Sequence, residues 1–547
     1  MKRGIGLIIG FSLFFILLFL PPTQGMRIEA LKVVLSHGTD ELNRVMGIKK
    51  INSQNFIQFE EKARKIRVSI PSDFSKAGEK SIGISKKGPS LYDVVVRQAY
   101  ALKNTIALAI LMAVLWISEA LPIPVVALFP MVFLPLLGIA HYKNASFPGY
   151  FIVFSPYMHY LVVLFIGGFT IAEAMKKWNL HKRIALNILK IIGFSPARII
   201  LGLMIATAVL SMFVSNTATT AMMMPIALAI ILSTGKSGGF AKASLLGIAY
   251  AASVGGIGTI IGTPPNLVFA GFADTLLSVK MTFAKWLMIG MPLTIVMLPL
   301  IWYLLLKFFR VKKTKILSSK RVIEEKLKEL GKMGPGERNT LIIFITVSFL
   351  WITRTWWTRM FHLPWVNDSV VAIIGVLLFY LLPVNLKKWE FTLTWDVNKN
   401  IPWGTLLLFG GGLALGTALS KTGAASYIAS QIKGIGKLGL PLLLFLSILL
   451  VDFLTEITSN TATANMMMPV LFAVGVATGF NPLLLMMGGA VASSMAFMLP
   501  VATPPNAIVY GTGYIKIKDM VRFGVILDII AAVVWTIILC AFTRFII

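Results

Sequence analysis

The pentapeptide Ser215-Asn216-Thr217-Ala218-Thr219 returns letter for letter at Ser459-Asn460-Thr461-Ala462-Thr463, and this duplication limits the folds open to the chain more than any other feature. Each copy leads, two residues later, into a methionine box, Met222-Met223-Met224-Pro225 and Met466-Met467-Met468-Pro469. The spacing, 459 − 215 = 244, also pairs Gly167-Gly168 with Gly411-Gly412, Ile184-Ala185 with Ile428-Ala429, and Ser211 with Thr455, all without a gap. A second pair, Thr263-Pro264-Pro265-Asn266 and Thr503-Pro504-Pro505-Asn506, is spaced 503 − 263 = 240, so the second copy is shorter by four residues between its motifs. The chain is therefore a duplicated unit, and composition must say of what.

Of the 547 residues, 57% are hydrophobic and 13% charged, with mean hydropathy +0.82. Apolar runs of about 18 residues or more recur, each able to cross roughly 30 Å of hydrocarbon as a helix. The period-two alternation of a membrane β-barrel is missing. This composition predicts an all-α polytopic membrane protein, with the cell (inner) membrane as its expected location. The net charge of +29 would suggest a nucleic-acid partner in a soluble chain. Here Lys and Arg gather in a few loops, where they report topology, because basic loops stay cytoplasmic. One cysteine, Cys540, and five scattered histidines (His37, His141, His159, His181, His362) leave no disulfide framework, zinc site or Ser-His pair. A hydrolase using Ser215 or Ser459 would lack its base, and the chain reads as no enzyme.

In chain order, Lys2 and Arg3 precede an apolar run from Ile5 to Leu20, read with residues 1–25 as a retained first transmembrane helix rather than a cleaved signal. Residues 26–99 form a basic, weakly patterned extramembrane insert, a small domain or a flexible segment. The first half, 100–306, holds helices at Thr105–Ser118, Pro124–Ile139 and Tyr160–Met175, then a basic amphipathic stretch through Lys176-Lys177-Trp178 and His181-Lys182-Arg183 that reads as interfacial. Two apolar pieces around Ser215-Asn216-Thr217, each too short to span with ease, predict a re-entrant hairpin over 197–231. A Gly- and Ala-rich helix over 241–278 is broken at Thr263-Pro264-Pro265-Asn266, since two successive prolines cannot continue a helix. Helix six, Trp286–Leu306, meets the basic linker 307–338, the clearest cytoplasmic loop. Helices at Leu341–Trp351, Val370–Leu382 and Gly404–Leu419 follow, then an interfacial stretch Lys421–Lys437, a hairpin over 440–476, a broken helix over 482–514 and a last helix Val521–Phe545, all in the second half, 339–547. The sum is about 11 transmembrane helices. An odd number of spans separates the two repeat starts, so the second copy enters from the opposite face as an inverted repeat. Positions 181 and 320 are then cytoplasmic, and 430 lies on the other face.

Non-helical backbone at membrane depth is tolerated only where it is buried in protein or lines an aqueous cavity. Two hairpin tips and two broken helices at matching positions therefore mark a site near the midplane. Each motif starts a half-helix with Ser, Asn or Thr at its cap and free N–H groups facing the break, which suits a small dianion. The half-helices that end there present carbonyls and hydroxyls suited to a hard cation such as sodium. Asn offers an acceptor to the cation and donors to the anion from one side chain. The methionine boxes read as packing behind the tips. Asp452 and Glu456, one helical turn apart where the first half has Ala208 and Met212, read either as functional intramembrane carboxylates or as capped or vestibule-facing ones.

At these motifs, and at Trp178-Asn179-Leu180-His181-Lys182-Arg183, the chain resembles the divalent anion/sodium symporter family, which carries di- and tricarboxylates or sulfate. The resemblance implies a homodimer of scaffold and transport domains that moves its substrate by an elevator-type displacement. It implies one sodium site of Ser211, Ser215, Asn216 and Gly262, and another of Thr455, Ser459, Asn460, Ala502 and Pro504. It implies a substrate site of Ser215, Asn216, Thr217, Thr263, Ser459, Asn460, Thr461, Thr503 and Pro504. The expected activity is sodium-coupled symport of a small divalent anion, a C4-dicarboxylate such as succinate, malate or fumarate. Sulfate or citrate transport and sodium-independent dicarboxylate exchange are the alternatives. The insert 26–99 departs from the family pattern.

Overall fold

The computed structural model describes residues 2–46, 56–69, 82–86, 88–139, 153–234, 238–311, 317–432 and 438–546. His141 and the end of the stretch Lys421–Lys437 lie outside them. Among the described residues strands form only two short antiparallel pairs, β1 (Val68–Ser69) with β2 (Gly83–Ile84) and β3 (Pro383–Asn385) with β4 (Glu390–Phe391). Everything else regular is helix.

Helix α1 (Lys2–Phe19) turns by 73° into α2 (Gln24–Ser36). With α3 (Asp40–Met46), α4 (Phe56–Lys65) and the β1–β2 pair, α2 encloses a small apolar core of Leu31, Leu35, Leu42, Phe56 and Val68. The described parts of the insert thus form a small folded unit. Its floor is the first turns of α5 (Leu91–Ser118), through Leu91, Val95 and Ala99. That helix begins at Leu91 instead of Thr105 because Ser90 and Asp93 close a capping box. The insert therefore ends near residue 90, not 99.

The span expected over Pro124–Ile139 is instead two short pieces, α6 (Ile123–Val126) and α7 (Phe129–Leu136), with Pro130 opening the second and Pro135 inside it. Next come α8 (Tyr160–Lys177), the interfacial α9 (Leu180–Ile192), and the hairpin arms α10 (Pro196–Ser211) and α11 (Asn216–Thr234). The broken helix is α12 (Gly239–Ile257) and α13 (Pro264–Leu277), followed by α14 (Phe283–Phe308). The linker carries an amphipathic α15 (Leu317–Leu330), and α16 (Pro335–Met360) starts inside the expected linker, with Pro335 in its first turn. After α17 (Asp368–Leu381), the second copy follows: α18 (Trp403–Thr422), α19 (Ala424–Gln431), hairpin arms α20 (Leu440–Thr455) and α21 (Asn460–Thr478), broken helix α22 (Pro482–Ala492) and α23 (Pro504–Tyr510), and α24 (Ile517–Ile546).

Nine helices among the described residues are long and apolar enough to cross a membrane, or ten if α1 and α2 make one bent span. The nine include α11 and α21, so the second hairpin arms are longer than expected, while α7 and α17 fall short of that length. Length alone therefore does not reproduce the count of eleven. The face assignments are coherent. The ion pair of Arg183 with Glu337 (2.6 Å), the hydrogen bond from Arg183 to the Gly331 carbonyl (3.1 Å) and the packing of α15 on α9 put the first interfacial helix and the linker together. Glu337 keeps the Arg183 guanidinium even more firmly charged than usual. The insert instead lies beside the second interfacial helix: α2 packs on α19, and next to that contact Thr23 and Tyr427 approach to 3.3 Å and Gln98 of α5 donates to the Lys421 carbonyl at the end of α18 (3.1 Å).

The glycine pairs do what close helix contact requires. A Cβ on Gly167 would come within 2.5 Å of the Ala372 Cβ, so α8 and α17 touch along their backbones. On α18, a Cβ at Gly411 would strike the Ala127 carbonyl and one at Gly412 the Asn465 side chain.

Candidate binding site at the paired hairpins

The four motifs sit where helices stop and restart. In the first half, α10 ends at Ser211 and α11 restarts at Asn216; α12 ends at Ile257 and α13 restarts after Thr263. The second half repeats this at Thr455 and Asn460 and at Ala492 and Thr503. The Pro-Pro pairs occupy the first turn of α13 and α23, where their missing N–H groups have no helical partner to lose.

The caps differ from expectation. Ser215 accepts from the Ala218 N–H (3.4 Å) and Thr503 from the Asn506 N–H (3.2 Å), whereas Ser459 and Thr263 stand at N-caps with no side-chain capping bond. Their hydroxyls are left for another use. Helix α23 is only seven residues long, so three of the four helix starts, not four, begin substantial helices.

Within each half, a hydroxyl joins the hairpin to the broken helix. Ser211 Oγ lies 2.7 Å from Asn216 Oδ1 and 2.7 Å from the Ala252 carbonyl oxygen. Thr455 Oγ1 lies 2.8 Å from Asn460 Oδ1 and 3.0 Å from the Ser493 carbonyl oxygen. Both hydroxyls are fully buried. Gly262 packs into the first cluster, where a Cβ would lie 2.5 Å from the Gly256 carbonyl oxygen and 2.9 Å from that of Ser211. A Cβ on Gly256 would reach within 2.5 Å of Asn216 Oδ1, so glycine there admits the amide. In the second half Ala502 is buried and Pro504 exposed. The tip residues Ser215, Asn216, Ser459, Asn460 and Thr461 are half-buried and Thr217 is exposed, while Thr263 and Thr503 are buried behind them. Neither Asn216 nor Asn460 has a partner for its amide nitrogen among the described residues.

The halves interlock at these tips. Helix α11 packs on α23, α12 on α23, and α13 on α21 and α22. Tyr250 of α12 donates to the Phe497 carbonyl in the second break (2.9 Å).

The repeat is not symmetric in charge. In the first half the Thr259 hydroxyl donates to the Met212 carbonyl. In the second, Glu456 replaces Met212 and accepts from the Met498 N–H (2.7 Å) and Leu499 N–H (2.8 Å). Glu456 is therefore a buried cap, not a vestibule-facing carboxylate. Asp452 and Asp528 are also buried, and among the described residues the Asp452 carboxylate has no hydrogen-bond partner. Asp528 escaped the sequence reading because it lies outside the duplicated motifs; the carbonyls of Ala252 and Ser493 escaped it because backbone has no sequence signature. The methionines face both ways: Met223, Met467 and Met468 are buried and the others half-buried, packed on the main core. A depression of about 260 Å³ lined by Ser155, His159, Thr275, Thr417 and Lys421 shares no residue with the motifs. Among the described residues no group of three or more His, Cys, Asp and Glu could hold a metal ion.

Two hairpins and two broken helices, duplicated and meeting inside an apolar helical body, define a secondary transporter of the inverted-repeat class. The chain belongs to the sodium:sulfate symporter family, whose transmembrane region matches residues 98–547. It is 42% identical over 445 residues to a protein named sodium-dependent dicarboxylate transporter SdcS from Staphylococcus saprophyticus, covering 78% of this chain and 84% of that one. It is 41% identical over 442 residues to the protein of the same name from Staphylococcus aureus strain USA300, with the same coverage. A crystal structure of the YdaH transporter of Alcanivorax borkumensis matches with TM-score 0.47 and 13% identity over 70% of this chain and 85% of that one.

Proposed function

We propose that the protein is a sodium-coupled symporter of C4-dicarboxylates such as succinate, malate or fumarate. The observation that carries this reading is the pair of oxygen clusters. A hydroxyl has one hydrogen to donate. In this orientation of the amides, Ser211 Oγ has two oxygen neighbours at 2.7 Å, and Thr455 Oγ1 has two at 2.8 and 3.0 Å. One hydrogen among three oxygens leaves a surplus of negative lone pairs in a buried place, a surplus that a small hard cation relieves. The first cation site is then Ser211, Ser215, Asn216 and Gly262, and the second Thr455, Ser459, Asn460, Ala502 and Pro504.

The NH₂ groups of the same amides have no protein partner among the described residues, and the proposed anion lies between the tips. There they join the N–H groups at the starts of α11 and α21 and the hydroxyls of Ser215, Thr217, Thr263, Ser459, Thr461 and Thr503. A dicarboxylate with one carboxylate at each tip satisfies both ends. Without the cations the amide oxygens are held less firmly and the donors are less well placed, so anion and sodium bind together. The names of the relatives support sodium and a dicarboxylate, and the family's description makes sulfate the second reading. In keeping with the family resemblance, the protein works as a homodimer in which the hairpins and broken helices move as one body against the scaffold.

Uptake of labelled succinate, citrate and sulfate into proteoliposomes, with and without an inward sodium gradient, tests this. Succinate uptake driven by the gradient is expected. Uptake indifferent to sodium but stimulated by internal dicarboxylate would make the protein an exchanger, and uptake of sulfate alone would reassign the substrate.

A further inference from the structure

The last residue of each Thr-Pro-Pro-Asn motif is unused by the function proposed above. Asn266 and Asn506 are both fully buried, one turn into α13 and α23. Each reaches back across its own break. The Asn266 Nδ2 donates to the carbonyls of Gly256 (3.1 Å) and Thr259 (2.7 Å). The Asn506 Nδ2 donates to those of Ala496 (3.2 Å) and Leu499 (3.0 Å). The acceptors stand ten and seven residues before the asparagine in both halves, so the repeat preserves the contact as well as the letters. In both halves Oδ1 has no hydrogen-bond donor among the described residues, although buried polar atoms are normally paired. What is kept is the donor pair alone.

The chemistry of the position explains the choice of residue. Two carbonyls at the end of a helix and in the break beyond it need two donors on one short, neutral head, and among side chains of this size only Asn supplies them. Lys would add a charge beside a cation, and Asp has acceptors only. In the first half the tie has a visible target: Gly256, whose carbonyl Asn266 holds, is the residue against which Asn216 Oδ1 rests and whose carbonyl borders Gly262. Moving that carbonyl moves the wall of the oxygen cluster.

We propose that Asn266 and Asn506 are positioning residues for the two cation sites: each amide fixes the unwound backbone on which its site's ligands rest, without touching cation or substrate. The inference rests on the cation sites proposed above. It sets a split that a merely structural role would not give, since the defect lies in sodium affinity and is overcome by sodium.

The test uses the full chain in proteoliposomes, with the sodium dependence of labelled succinate uptake measured for Asn266→Ala, Asn506→Ala and Asn506→Asp, and thermal melts of the purified protein with and without sodium. Each variant is expected to raise the sodium half-saturation at least about tenfold, to keep maximal uptake at saturating sodium within about twofold, and to lose most of the sodium-induced rise in melting temperature. Asn506→Ser, which keeps one donor, is expected to fall between, and stands in if the alanine variant does not reach the membrane. Unchanged sodium half-saturation with a lowered sodium-free melting temperature would overturn the proposal. Thr455→Val is run beside them: if it shifts sodium dependence and Asn506→Ala does not, the positioning role alone is wrong, and if neither does, the cation sites are wrong as well.

Discussion

Replacing Thr455 by valine removes one hydroxyl and almost no volume, so the site is altered without opening a cavity. The hydroxyl makes one hydrogen bond, shared between Asn460 Oδ1 at 2.8 Å and the Ser493 carbonyl at 3.0 Å. Its loss costs about 1 kcal/mol of stability. With sodium bound, the same oxygen faces a full charge, and an interaction of that kind is worth about 2–3 kcal/mol. The difference, about 1–2 kcal/mol, falls on sodium affinity and corresponds to a rise in half-saturation of roughly 5- to 30-fold. Ser211→Ala is expected to act alike on the first site. The assay is succinate uptake as a function of sodium concentration, with melting temperature in sodium-free buffer as the folding control. A melting temperature lowered with no change in sodium half-saturation would refute the reasoning, because the hydroxyl would then serve packing alone.

Three further outcomes are expected. Asn460→Asp keeps the acceptor oxygen but loses both amide donors and sets a negative charge near a dianion, a penalty of several kcal/mol in a partly dry site; calorimetry on purified protein should show succinate binding abolished with sodium binding retained. In a Cys540→Ser background, single cysteines at Lys182 and Lys320 should react with an impermeant reagent from the cytoplasmic side and one at Ser426 from the other. Lys182 is chosen because His181 is buried. Reaction of Lys182 and Ser426 positions from one side would end the inverted repeat. Excising residues 26–90 bares Leu91 and Val95, each worth about 1.5–3 kcal/mol when buried, so melting should fall while the sodium half-saturation stays unchanged; an altered half-saturation would instead place the insert in the transport cycle.

The sequence carried the architecture to an unusual depth because duplication leaves a record that any reader of the letters can align. The Ser-Asn-Thr and Thr-Pro-Pro-Asn pairs marked the four breaks at the hairpins and broken helices, since proline and capping residues act locally, and the pairing of Ser211 with Thr455 anticipated two equivalent hydroxyls before either was seen in space. Basic residues grouped His181 with the linker, while the odd span count set the second interfacial helix on the other face; the structure does bring Arg183 to the end of the linker at Gly331. What the letters could not decide is which backbone groups each side chain would meet. The acceptors of Ser211 and Thr455 are carbonyls of Ala252 and Ser493, on segments about forty residues away, and any residue type would supply the same carbonyl. The fate of Glu456 was open for the same reason: a carboxylate one turn from Asp452 caps, titrates or faces water according to whether a free N–H is brought to it, and only the approach of Met498 and Leu499 decides for the cap. The sequence left the insert open between a small domain and a flexible segment because its apolar residues are few and finish their core on the first turns of α5, so the order of its described parts depends on a surface that lies outside its own stretch of chain.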